Sequence, residues 1–160
     1  MKAVMKSVAL ISLPGARLEQ LARRVAPDLQ LTPVAAEALL GGEALADMES
    51  LVETDNNLIV LPSDFLEKGG ADAIRSFRER GGLVVFVDLS WEESWKAVAN
   101  DGAPNAEGLP WRTVYRKMAR QRAAGIRETA DLEVSGSGSL EDIAARLVQA
   151  IFDFGTDQDF

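Results

Sequence analysis

Residues 10–24 read LISLPGARLEQLARR, and the fold turns on how they are read. An apolar run through residue 13 meets a Pro14-Gly15 turn. Leu18, Leu21, Ala22 and Val25 then recur at helical spacing, which predicts a helix over about 16–25 that Pro27 ends. Strand, glycine turn and helix are how a phosphate-binding loop opens. Backbone N–H groups wrap the anion there, and glycine stands where a side chain would collide. The lysine that such a loop uses is missing, so the stretch is either a site that holds phosphate by other means or the scaffold of one.

The flanking sequence repeats the alternation. Residues 4–13, VMKSVALISL, predict a first strand. Lysines before an apolar run also mark a signal peptide, but this run enters a glycine turn and an amphipathic helix, so a buried strand in a cytoplasmic protein is expected. Residues 34–41 and 43–53 read as two short helices split by Gly41-Gly42. NLIVL (57–61) is a continuous apolar strand of the kind found in a sheet covered on both faces. A helix over 64–80 follows, bent near Gly69-Gly70 and ended by Gly81-Gly82, and LVVFVDL (83–89) is the clearest buried strand. Ser90-Trp91-Glu92-Glu93 is a capping box opening a helix to about Asn100. Residues 101–110 form a Gly/Pro/Asn loop, 111–127 a long basic helix and 131–135 a short strand. Ser139 caps a last helix to about Phe152, followed by a frayed acidic tail. This order predicts an α/β fold, a three-layer, doubly wound parallel sheet, in one domain over 1–160.

Composition narrows the chemistry. The 160 residues are 47% hydrophobic and 26% charged, with a net charge of −8, which argues for a globular chain and against nucleic acid or an anionic membrane as partner. No apolar run approaches the roughly 18–20 residues of a membrane span. There is no Cys and no His, which removes thiolate chemistry, zinc sites built on those residues and a histidine general base. No metal site is expected.

From about residue 57 onward the order of signals resembles shikimate kinase. In that family a strand ends in a glycine triplet and leads to a helix. An apolar strand ending in Asp, an acidic cap and helix, and a flexible lid come next. A helix carrying R-x-P-L-Y-x-E-x-A-D, a short β segment, a Ser-Pro-Glu-Glu-like cap and a terminal helix complete the pattern. LVVFVDLSWEES and GSLEDIAARLVQAI stand in the corresponding places here, and RAAGIRETAD (122–131) matches the Arg motif at Arg122, Glu128, Ala130 and Asp131, without its Pro and Tyr. The first loop, I-G-x-x-G-x-G-K-[ST]-[ST] in the family, aligns with Ile11 to Gln20. The resemblance thus implies a P-loop kinase-like fold, with Gly15 and Arg17 left of the cofactor-binding loop.

The same alignment implies what has been lost. The second essential glycine, the one just before the lysine, is Arg17, the phosphate lysine is Leu18 and the Mg²⁺-binding hydroxyl is Glu19. The acceptor side has no Asp-x-Asp, Ala46 stands for the Arg of F-R-x-x-E while Glu49 is kept, and Leu61-Pro62-Ser63 replaces the glycine triplet. Gly15 and Leu61 are closer in sequence than the family's equivalents, so a shortened acceptor-binding region is expected. The lid Arg is Leu109. Phosphoryl transfer depends on charge positioned around the γ-phosphate, and these replacements remove it.

Two ligand-binding candidates remain. Arg122 is either the surviving acid-binding residue or a helix arginine in a salt bridge. Asp88 ends its strand, where α/β sheets place ligands, or caps the next turn. Trp91, Trp95 and Trp111 either wall a pocket or pack in the core, and the basic helix is either a solvated face or an anion site. The expected function is a catalytically inactive shikimate kinase-like protein with no catalytic residue and no cofactor. It would bind a small acidic ligand or a protein partner, another copy of itself included. The alternative is a nucleotide-dependent small-molecule kinase that uses ATP and Mg²⁺ through a non-standard phosphate loop.

Overall fold

The computed structural model of the chain describes residues 7–35, 56–100 and 111–158. Every residue of β1 (Ser7–Ile11) is buried, because both faces of the strand are covered. β4 (Leu83–Asp88) is the same up to Val87. β1 pairs in parallel with β4 on one side and β3 (Asn57–Val60) on the other. β2 (Thr32–Ala35) and β5 (Leu132–Ser135) form the edges, so the described sheet runs β2-β3-β1-β4-β5. The chain leaves β1 toward β2 and leaves β4 toward β5, in opposite directions. The switch point therefore lies at the carboxyl ends of β1 and β4, the usual ligand crevice of such sheets.

Alternation along the strands creates the two core layers. Val8, Leu10, Val85 and Val87 pack with Leu21, Ala22 and Val25 of α1 (Leu18–Leu29) and Ile143 and Leu147 of the last helix, α5 (Leu140–Gln158). Ala9, Ile11, Val84 and Phe86 face the other way, onto Ile74 and Phe77 of α2 (Ala71–Glu79) and Ile126 of α4 (Trp111–Thr129). The remaining helix, α3 (Trp91–Asn100), packs with α4 over Leu13 at the loop end, burying Tyr115 and Ala119. Trp91 and Trp95 are half-buried against that cluster. The side chain of Trp111 and the loop 101–110 lie outside the described residues.

Three expectations are corrected. Pro27 does not end α1, which continues to Leu29 and stops where Gln30 turns left-handed (φ 57°). A proline removes one helix hydrogen bond, and buried Val25 and Ala26 with Leu29 packed beside them carry the helix past it. Residues 32–35 are a strand, not the start of a helix over 34–41. Pro33 fits because β2 is an edge: Thr32 N–H bonds inward to Asn56 O, so the nitrogen of the next residue faces the open side. The rest of 34–41 and all of 43–53 lie outside the described residues, as do Ala46 and Glu49. The last helix runs on to Gln158 rather than Phe152, because Phe154 continues the buried seam of Leu147 and Ile151.

The bend expected at Gly69-Gly70 is present. Helical geometry fails at Lys68 and Gly69 (φ 88°), separating Leu66–Gly70 from α2. Both serine caps form, with Ser90 Oγ accepting from Glu93 N–H and Ser139 Oγ from Asp142 N–H, each at 3.1 Å.

Candidate functional site

The loop between β1 and α1 sits in the switch-point crevice. Ser12, fully buried, donates to Val87 O and ties the loop to β4. Gly15 (φ 91°) and Arg17 (φ 54°) both hold positive φ, at two of the three positions where the resembled loop has glycine. A side chain occupies one of these two left-handed positions. Arg17 is the N-terminal cap residue of α1 and makes no side-chain cap. It is exposed and forms no ion pair among the described residues.

The two residues that follow Arg17 are apolar and acidic. Leu18, where the resemblance places a lysine, packs against the core that α1 shares with the sheet. Glu19 lies in the first turn of α1, where a carboxylate complements the helix dipole, and its ion pair with Arg23 at 3.8 Å is exposed on both sides. The loop also leans on α3. A Cβ on Gly15 would come within 2.5 Å of Ala97 Cβ, so this glycine permits close packing between loop and helix. Ser94 Oγ, buried, donates to Pro14 O at 2.7 Å. With its one hydrogen so used, Ser94 accepts from Tyr115 O–H at 2.5 Å.

Asp88 faces away from α1, on the Val84–Phe86 side of β4. Arg127 reaches it at 3.5 Å and also pairs with Glu133 at 3.2 Å, with its guanidinium 5.3 Å from the Phe86 ring centre. Burial, then the neighbouring Glu133 carboxylate, push Asp88 above the usual carboxylate range, against the pull of Arg127. Glu133 is a partner that the sequence does not announce, because it comes from the strand paired alongside.

Arg122 is 14% exposed and paired. Its Nε donates to Glu67 Oε1 at 2.6 Å, Nη2 to Glu67 Oε2 at 2.9 Å, and Nη1 to Ser63 Oγ at 3.1 Å. The hydrogen bonds from Arg122 hold the Glu67 carboxyl below its ordinary range. A cavity of about 330 Å³ opens beside the pair, lined by Leu66, Glu67, Met118, Gln121, Arg122 and Gly125. Asp131, at the end of the same sequence motif, serves the fold: it pairs with Arg78 at 2.8 Å and accepts from Val84 N–H at 2.9 Å, joining α2 to β4. Among the described residues no hydrogen bond or ion pair joins Arg17, Asp88 and Arg122 to one another.

Among the described residues no helix is long and apolar enough to cross a membrane, and no three acidic, His or Cys residues converge to hold a metal. No family model and no curated protein matches the sequence. Solved structures do match. Shikimate kinase from Acinetobacter baumannii in complex with shikimate has a TM-score of 0.66 at 16% identity, over 93% of this chain and 94% of that one. Shikimate kinase from Aquifex aeolicus gives 0.65 at 15% identity, over 91% and 96%. A gluconokinase from Sinorhizobium meliloti 1021 gives 0.63 at 11%, over 98% and 97%. At these identities the likeness is one of fold, and with the parallel order β2-β3-β1-β4-β5 it identifies the shikimate kinase-like P-loop α/β fold in this chain.

Proposed function

We propose that this chain is a kinase-like protein that no longer transfers phosphoryl groups and works by binding, with a small acidic ligand near Arg122 as its preferred ligand and a protein partner, or a second copy, as the other form of the same reading. The observation that carries it is Leu18. At the position where a phosphate loop carries its lysine, this chain turns an apolar side chain into the core, and the next position holds a carboxylate. Without that cation and the Mg²⁺-binding hydroxyl, little remains to stabilise a transferring phosphoryl group. The reading assumes a cytoplasmic protein without a cofactor. The cavity beside Arg122 is of a size suited to a small molecule, and its wall carries a partly buried guanidinium.

A second reading rests on Arg17, exposed in the loop and without an ion pair among the described residues. It could supply the missing positive charge in a nucleotide-dependent small-molecule kinase. Asp88, its candidate Mg²⁺ ligand, is engaged with Arg127 on the other side of the sheet. Calorimetric titration of ATP, with and without Mg²⁺ and with shikimate in parallel, separates the two. The first reading expects no heat from millimolar ATP in either condition. Micromolar, Mg²⁺-dependent binding that Arg17→Ala abolishes would establish the second.

A further inference from the structure

Glu67 grips Arg122 as a bound carboxylate would. Two oxygens of one carboxylate meet Nε and Nη2 at 2.6 and 2.9 Å, the two-point geometry by which a guanidinium recognises carboxylates in general. The two partners are unequally held. Arg122 is 14% exposed and anchored a third time by Ser63, whereas Glu67 is 51% exposed. Glu67 also belongs to the segment Leu66–Gly70, where helical geometry is interrupted at the next two residues. Its carboxylate can turn into water without breaking a regular helix.

The space beside the pair suits an exchange. Leu66 and Met118 give the cavity apolar walls and Gln121 an amide. At Gly125 an added Cβ would meet nothing within 4 Å, so that wall is open.

We propose that Glu67 is an internal lock on Arg122, and that a small carboxylate ligand enters this cavity by displacing the Glu67 carboxylate from the guanidinium. The inference rests on the reading that an acidic ligand binds at Arg122. It adds the chemical class and the regulation of the site. Exchange of one carboxylate for another keeps the partly buried guanidinium neutralised, so an ester or amide of the same ligand cannot compete. Apparent affinity falls by the fraction of molecules that are unlocked. If about one molecule in ten is open, binding is about tenfold weaker than the site allows.

The test is calorimetric titration of the wild type, Glu67→Gln, Glu67→Ala and Arg122→Ala with sodium shikimate, with sodium benzoate as a minimal carboxylate and with methyl shikimate. Thermal unfolding checks that each variant is folded. In parallel, NMR follows the Glu67 carboxyl titration in the wild type with and without saturating shikimate, a readout that needs no variant. Both Glu67 variants are expected to bind the carboxylates about tenfold more tightly, Arg122→Ala and the ester to show no binding, and Glu67 to titrate in its ordinary range once ligand is bound. If carboxylates bind the wild type through Arg122 but the Glu67 variants bind no more tightly and Glu67 titrates unchanged, the lock is wrong and the acid site stands. If no protein binds either carboxylate, the lock and the acid site fall together.

Discussion

At the scale of single residues the loop between β1 and α1 holds two left-handed positions, one at a glycine and one at an arginine. Gly15 at φ 91° suits its residue type and also permits the approach of Ala97. Arg17 at φ 54° does not, since a left-handed conformation strains a residue with a Cβ by roughly 1–2 kcal/mol. Arg17→Gly should relieve that strain and, after the roughly 0.4–1 kcal/mol that glycine's freedom in the unfolded chain costs, raise stability by up to about 1 kcal/mol, read as a higher denaturant midpoint with an unchanged slope. A fall in stability would mean that the Arg17 side chain makes contacts that outweigh its strain.

The elements extend the same argument. α3 holds the loop through Ser94, which bonds Pro14 O and Tyr115 O–H in a buried spot. Ser94→Ala leaves both groups short of a partner and should cost about 1–3 kcal/mol. Chemical denaturation measures this, and a loss under about 0.5 kcal/mol would mean that water replaces the hydroxyl. Sequence patterns found most elements because their cause is local. The unbroken apolar run in LVVFVDL, the Ser-x-x-Glu and Ser-x-x-Asp caps, and the paired glycines at 69–70 each act within a few residues. They failed where the cause is distant. β2 owes its strand to pairing with Asn57–Val60, and α5 outruns its expected end because Phe154 meets the sheet core.

For the molecule as a whole, the paired carboxylates set opposite responses to pH. Glu67, held low by Arg122, and Glu141, held low by Arg24, add stability above the ordinary glutamate range that is lost as pH falls through their folded pKa values. Asp88 has the reverse sign. Burial and Glu133 raise its pKa, so the folded chain binds this proton more tightly than the unfolded one. That contribution is present in acid and disappears as pH rises through the folded pKa. At pH 7 the ionised group therefore costs stability, and Asp88→Asn should raise the melting temperature. With 37% of the side chain exposed, the gain should stay under about 1 kcal/mol and vanish below the ordinary carboxylate range. Lower stability of the variant at neutral pH would mean that the Arg127 pair outweighs burial.

The sequence by itself determined the class of fold, the order of most strands and helices, and the apolar and acidic residues, Leu18 and Glu19, that follow the glycine turn. These follow from local periodicity, turn residues and residue type. Only the tertiary structure decided what Arg122 and Asp88 touch. Glu67 lies 55 positions from Arg122, and Glu133 reaches Asp88 because β4 and β5 pair in register. No local pattern records such contacts, since they arise when strands and helices remote in sequence are brought side by side in burying the core.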